Sequence, residues 1–333
     1  MGAVQLAVKC PHDPTKAKSF LTLAGRHQLT AVEVSADVQF IRQVPLEKRV
    51  LLLSELFQGK VSRLCFHVPT WFTPENSTVE INKSCDLAGK RSDSAVAWVS
   101  ETIMEAAEVG ARLNLDSPVL VNLHLLGLAC LKEISLAAKF SALEKGKNTL
   151  DILQNYVASY CNLNEFKAGG KPLVRLVREN NPPLHNRKIY SLIDFHPEEF
   201  TNHPAVGVNL DFAHFHLYLT YSKTGHGESP GADLDSSLYA PPSWEAALKQ
   251  TKDALEMVHL CDARGYTPKH EGLVIGKGDI NFKENIATLC QQTKAQVVGT
   301  LEIVNPDSAV RSVEKSIEAL RKIFRSDYKR VFV

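Results

Sequence analysis

Residues 257–303 read MVHLCDARGYTPKHEGLVIGKGDINFKENIATLCQQTKAQVVGTLEI. The stretch opens on an apolar run, Met257 to Leu260, crosses a Gly-containing loop, takes on helical spacing from Phe282 to Thr293, and closes on a second β-rich run, Ala295 to Leu301. Strand, crossover helix and strand in that order make a parallel pair, because antiparallel neighbours need only a tight turn between them. A residue that can hold a metal stands at the end of each, His259 one before the close of the first run and Glu302 just past the second.

The same alternation extends outward to the rest of the chain. Six further β-rich runs precede the quoted pair: Val4 to Val8, Ala31 to Val34, Arg63 to Phe66, Pro118 to Leu123, Pro172 to Arg178 and Ala205 to Leu210. Helical spacing marks Thr15 to Ala24, Leu46 to Phe57, Ala95 to Leu113, Leu131 to Tyr160, Trp244 to Met257 and Ser308 to Arg325. Eight β/α pairs close a barrel. The competing architecture is an open doubly wound sheet, but the chain has no G-x-G-x-x-G turn after its first strand and no G-K-[ST] phosphate loop. The expectation is an α/β fold, one eight-stranded (β/α) barrel forming a single domain over residues 1–333. Two long connections, Val68 to Ser94 and Ser222 to Pro242, are expected to be lids or solvated excursions.

The 38 basic and 37 acidic residues leave a net charge of +1, which excludes a whole-molecule field that would draw nucleic acid or anionic membrane. Cys10, Cys65, Cys85, Cys130, Cys161, Cys261 and Cys290 are odd in number and never spaced C-x-x-C. They fit neither a disulfide framework nor a thiolate zinc site, so the cytoplasm is the expected compartment. No run of 18 apolar residues occurs and MGAVQLAVKCPHD lacks a signal-peptide pattern, so no membrane association is expected.

Reactive groups in such barrels sit where strands end and βα loops begin. From the third strand onward those places hold His67, His124, Glu179, Asp211 with His214, His259 and Glu302, and His270 lies in the loop after the seventh strand. Taken singly, a histidine after a strand is usually a hydrogen-bonded loop residue, Glu179 could be a surface carboxylate beside Arg178, and Asp211 could cap a helix begun by FAHFHL. Asp, Glu and His supply 37 and 12 of the 333 residues, too few for six consecutive strand ends to carry one by composition alone. Imidazole nitrogen mixed with carboxylate oxygen suits Zn²⁺ or Mn²⁺, with Mg²⁺ open as well.

These residues carry a resemblance. RENNPP, then HPAVGVNLDFAHFHL, then HLCDARGYTPKHEGLVIGKGDI, then GTLEI, resemble in order and spacing the xylose isomerase-like TIM barrels, and among them the endonuclease IV type of AP endonuclease, over roughly Cys65 to Val304. The resemblance implies that His67, His124, Glu179, Asp211, His214, His259, His270 and Glu302 bind two or three Zn²⁺ ions. It also departs from the family. Pro268 stands where the family has an Asp two residues before the last His, so the ion on His214 and His270 would need another carboxylate, such as Asp262. HVPTW and HLLG drift from the family's histidine motifs, and KCPHDPTK lacks the family's Gly-Gly pair.

Two enzymatic readings follow. A metal-cluster hydrolase acting in DNA repair, on damaged DNA at an abasic site or on a related phosphate ester, would use Glu179 as the bridge between ions, and His67 and His124 favour it. A sugar or polyol isomerase or epimerase would instead hold one Mn²⁺ or Mg²⁺ on Glu179, Asp211, His259 and Glu302, with the catalytic pair Glu179 and Glu302 exchanging a proton beside a carbonyl and His214 bonding the small sugar substrate. The charge balance and the lost Asp favour the second, since Arg175, Arg178, Arg264 and Lys269 are few cations for DNA. The matched imidazoles tip the sequence reading narrowly toward the hydrolase. A barrel that has lost catalysis and only binds is the third reading. Trp71, Phe72 and Trp98 are candidates to stack on a base or sugar, with core packing the better reading of Trp98, and His226 sits in the second long loop.

Overall fold

The computed structural model describes residues 2–68, 86–89, 92–130, 133–186, 189–201, 203–224, 242–265, 268–293, 295–303 and 309–333. Trp71, Phe72 and His226 lie outside the described residues.

Eight strands form the barrel: β1 (Ala3–Pro11), β2 (Ala31–Ser35), β3 (Arg63–His67), β4 (Val119–Leu123), β5 (Val174–Glu179), β6 (Gly207–Asp211), β7 (Leu255–Leu260) and β8 (Gln296–Leu301). Each pairs in parallel with its sequence neighbours, and β1 pairs with β8 to close the ring. The fold is therefore a (β/α)8 TIM barrel, with helices packed outside.

Local chemistry sets where the helices start. Asp13 accepts from the Thr15 amide at the head of Pro14–His27, Ser135 accepts from Ala138 at the head of Leu136–Leu163, and Asn281 accepts from Glu284 at the head of Phe282–Gln292. The Ser135 cap begins the fourth long helix at Leu136 rather than at Leu131. The helix expected from Trp244 to Met257 ends at Thr251, and Leu255 already belongs to β7. Pairing with β6 and β8 overrides the helix-forming preference of that Ala-Leu-Glu run.

After β5 the chain follows a different course. Among the described residues this crossover holds no long helix, and Leu184–Asn186 and Ile189–Ser191 form an antiparallel sheet with Leu128–Cys130, followed by the single turn Pro197–Phe200. The small sheet braces the loops after β4 and β5. Arg178, buried at the end of β5, makes a two-point pair with Asp194 beside it.

Candidate metal centre

The strand pleat builds the site from below. Ala7, Ala31, Cys65, Leu120, Val177, Met257 and Val298 pack together as an apolar plug inside the barrel. Side chains alternate along a strand, so the residue two positions further points into the barrel one layer higher. That layer is Lys9, Glu33, His67, Asn122, Glu179, His259 and Thr300, with Asn209 and Asp211 on β6 and Glu302 just beyond β8. Glu33, Asn122, Glu179, Asn209 and His259 are fully buried.

Three carboxylates converge on one imidazole nitrogen. His259 Nδ1 lies 3.2 Å from Glu179 Oε1, 3.5 Å from Asp211 Oδ2 and in direct contact with Glu302 Oε2. Yet Glu179 Oε1, His259 Nδ1 and Glu302 Oε2 are buried and none makes a hydrogen bond. Buried polar atoms are nearly always satisfied, and a divalent cation would satisfy all of these together. Behind the ring, His259 Nε2 faces Glu33 Oε1 and Oε2 at 3.2 and 3.0 Å. Burial alone would lower His259, but Glu179, Glu33 and Glu302 raise it well above the usual imidazole range. Burial alone would raise Glu302, whereas Lys9 and then His259 hold it well below the usual carboxylate range.

A second set of imidazoles approaches the other oxygen of Glu179. His67 Nε2 and His124 Nε2 stand 3.4 and 3.5 Å from Oε2. The Nδ1 of His67 donates to the Val68 carbonyl at 2.8 Å and that of His124 to Asn181 Oδ1 at 2.9 Å, which turns both Nε2 atoms to Glu179. The same oxygen already accepts from Asn122 Nδ2 at 2.5 Å and Asn209 Nδ2 at 3.0 Å. Ligand atoms of His67, Glu179, His259 and Glu302 lie within 4.8 Å of one another, and so do those of Glu179, Asp211 and His214.

The second of these groups is less able to hold an ion. His214 Nδ1, the nitrogen 3.4 Å from Glu179 Oε1, lies 2.9 Å from the Asn180 carbonyl and must carry a proton to bond it. Its Nε2 looks instead toward Glu271 Oε2, 3.8 Å away. Burial would lower His214, but Asp211 and Glu271 push it up to about 9. Asp211 serves two ends at once, since Oδ1 accepts the His214 backbone amide at 2.7 Å while Oδ2 faces His259.

His270 stands apart. It is exposed on the turn Pro268–His270 and belongs to neither group. Asp262 is committed elsewhere, accepting backbone amides from Ala263 and Ile280 on Oδ1 and from Gly276 and Gly278 on Oδ2. Of the four cations considered for phosphate, Arg178 is buried against Asp194, and Arg175 pairs with Glu256 near the amino ends of β5 and β7, away from the site. Arg264 and Lys269 are exposed, with Arg264 bonded to the Lys277 carbonyl. Trp98 packs against the core in its helix.

Comparison with known proteins agrees with this architecture. A family model described as xylose isomerase-like TIM barrel matches residues 174–323, the part that carries Glu179, Asp211, His259 and Glu302. Similar solved structures include a D-tagatose 3-epimerase-like protein (18% identity, TM-score 0.62, covering 98% of this chain and 100% of the other). A 3-keto-D-glucoside 4-epimerase from E. coli is 11% identical (TM-score 0.60, 96% and 99%). An AP endonuclease of family 2 from Brucella melitensis is 12% identical (TM-score 0.53, 94% and 97%). At these identities the likeness is one of fold. No curated protein sequence matches the chain.

Proposed function

We propose that this barrel is a metal-dependent enzyme that isomerises or epimerises a small sugar or related polyol by moving a proton next to a carbonyl. The observation that carries the reading is the meeting of Glu179 Oε1, Asp211 Oδ2 and Glu302 Oε2 around His259 Nδ1, with three of these four atoms buried and lacking a hydrogen bond. Those four residues would hold one divalent ion, which when bound would polarise the substrate carbonyl and its neighbouring oxygen. Glu179 and Glu302 each keep a second oxygen turned away from His259, held by Asn122 and Asn209 in one case and by Lys9 in the other. These donors favour the ionised carboxylates, the form that binds an ion and the form that a base must start from. His214 and Glu271 at the rim are placed to bond substrate hydroxyls. The similar epimerases agree with this reading, and so does the commitment of Arg175 and Arg178 to carboxylates.

Phosphodiester hydrolysis in the manner of an AP endonuclease is the second reading. It is favoured by His67 Nε2 and His124 Nε2, both aimed at Glu179 Oε2, which would serve a second ion. Metal analysis of the purified protein, together with ketose interconversion and abasic-duplex nicking assays, separates the two. One Mn²⁺ or Mg²⁺ per chain with sugar turnover lost in Glu179→Gln supports the isomerase. Two or three Zn²⁺ with nicking would replace it by the hydrolase.

A further inference from the structure

Lys9 on β1 and Glu33 on β2 are not ligands, yet each ends on one. Lys9 Nζ lies 2.5 Å from Glu302 Oε1 and 3.9 Å from Glu33 Oε1, and Glu33 Oε2 lies 3.0 Å from His259 Nε2. Their backbones are register partners across β1 and β2, so the two side chains rise side by side into the same layer.

We propose that Lys9 and Glu33 are the positioning residues of the metal site. Glu33 holds His259 by Nε2 so that Nδ1 is its ligand atom, and Lys9 holds Glu302 by Oε1 so that Oε2 alone turns to the ion. An imidazole can ligate through either nitrogen, and a carboxylate against one of them selects the other. A ring flip of His259 would break both the Glu33 contact and the approach to Glu179 and Asp211. Glu33 is fully buried and needs a cation of its own, which Lys9 supplies at 3.9 Å while reaching Glu302. A carboxylate tied by one oxygen binds an ion through the other, and a coordination position stays open for substrate. This inference rests on the metal-site part of the reading above and is independent of the reaction.

The test is Mn²⁺ titration of the metal-stripped full chain, read as loss of the free-Mn²⁺ electron paramagnetic resonance signal. By charge alone, removing a cation beside a ligand oxygen should tighten Mn²⁺ binding; removing a positioning bond should weaken it. Lys9→Met and Glu33→Gln are each expected to weaken binding by about tenfold or more. Lys9→Arg, which keeps the charge and the donors, is expected to recover most of the loss. Unchanged or tighter binding in Lys9→Met, or wild-type affinity in Glu33→Gln, overturns the proposal. If Lys9→Met fails to fold by circular dichroism, Lys9→Gln, close in length and uncharged, takes its place with the same expected loss. A wild-type chain that takes up neither Mn²⁺ nor Zn²⁺ overturns the metal-site reading itself, a failure distinct from that of the positioning roles.

Discussion

Asn181 fixes the proton of His124. Its Oδ1 accepts from His124 Nδ1 at 2.9 Å, and the amide cannot turn over without losing the bond from its Nδ2 to the Ile193 carbonyl at 3.0 Å. Burial holds His124 down at about 4, so near neutral pH the ring is uncharged with Nε2 bare. A bare nitrogen outside the four-residue set is expected to serve substrate rather than the tight ion. Asn181→Ala should therefore leave Mn²⁺ affinity within about twofold of wild type, against the tenfold or larger loss usual when a partner of a true ligand is removed. Calorimetric titration checks this, and a larger fall would put His124 among the ligands.

His259 predicts the pH dependence of metal uptake. Against the lowering by burial, the carboxylates of Glu179, Glu33 and Glu302 raise its pKa, which favours the protonated ring in the metal-free protein. An ion must displace that proton, so apparent affinity should rise with pH. Titrations in two buffers of different ionisation enthalpy should show about one proton released per ion. A flat affinity profile would contradict the protonated resting state.

Asp13 governs a separate pH effect. Hydrogen bonds from the Thr15 side chain and then its backbone lower the Asp13 pKa at the start of Pro14–His27. A depressed folded-state pKa gives stability that is present above the unfolded value and lost as pH falls through the folded one. Asp13→Ala should cost about 1 kcal/mol at pH 7. Urea unfolding should show that difference shrinking below about pH 4, near the unfolded carboxyl value.

Leu120 reports on the floor of the barrel. It is fully buried in the apolar plug beneath Asn122 and Glu179. Leu120→Ala should destabilise the chain by about 2–5 kcal/mol, since neighbours on a closed sheet relax little into the cavity. Urea unfolding gives the number, and a cost well under 1 kcal/mol would mean that the plug is loosely packed.

The barrel was legible because apolar runs and helical spacing alternate eight times, a signal spread over the whole chain. The ends of elements were less so: Met257 has helix-forming neighbours, and only pairing with Asn209 and Val298 shows it to be strand. Glu179, Asp211 and Glu302 were legible because each follows a β-rich run directly, and His259 because it stands at the last residue but one of its run. Glu33 and Asn122 were missed because they lie within runs, and Lys9, just past Val4 to Val8, because an ammonium is not a metal ligand. Their signal was the two-residue step above the plug, as in Ala7 to Lys9, Ala31 to Glu33 and Leu120 to Asn122. The exposure of His270 was not legible. Its loop is held by through-space bonds that no spacing encodes, among them the Arg264 amide to the His270 carbonyl at 3.0 Å.

The seven side chains of the plug also govern traffic. With Ala7, Ala31, Cys65, Leu120, Val177, Met257 and Val298 packed together below the polar layer, the described residues close the barrel floor beneath His259. Nothing crosses that floor, so a molecule bound at His259 has the rim side, where Glu271 stands, for both arrival and departure.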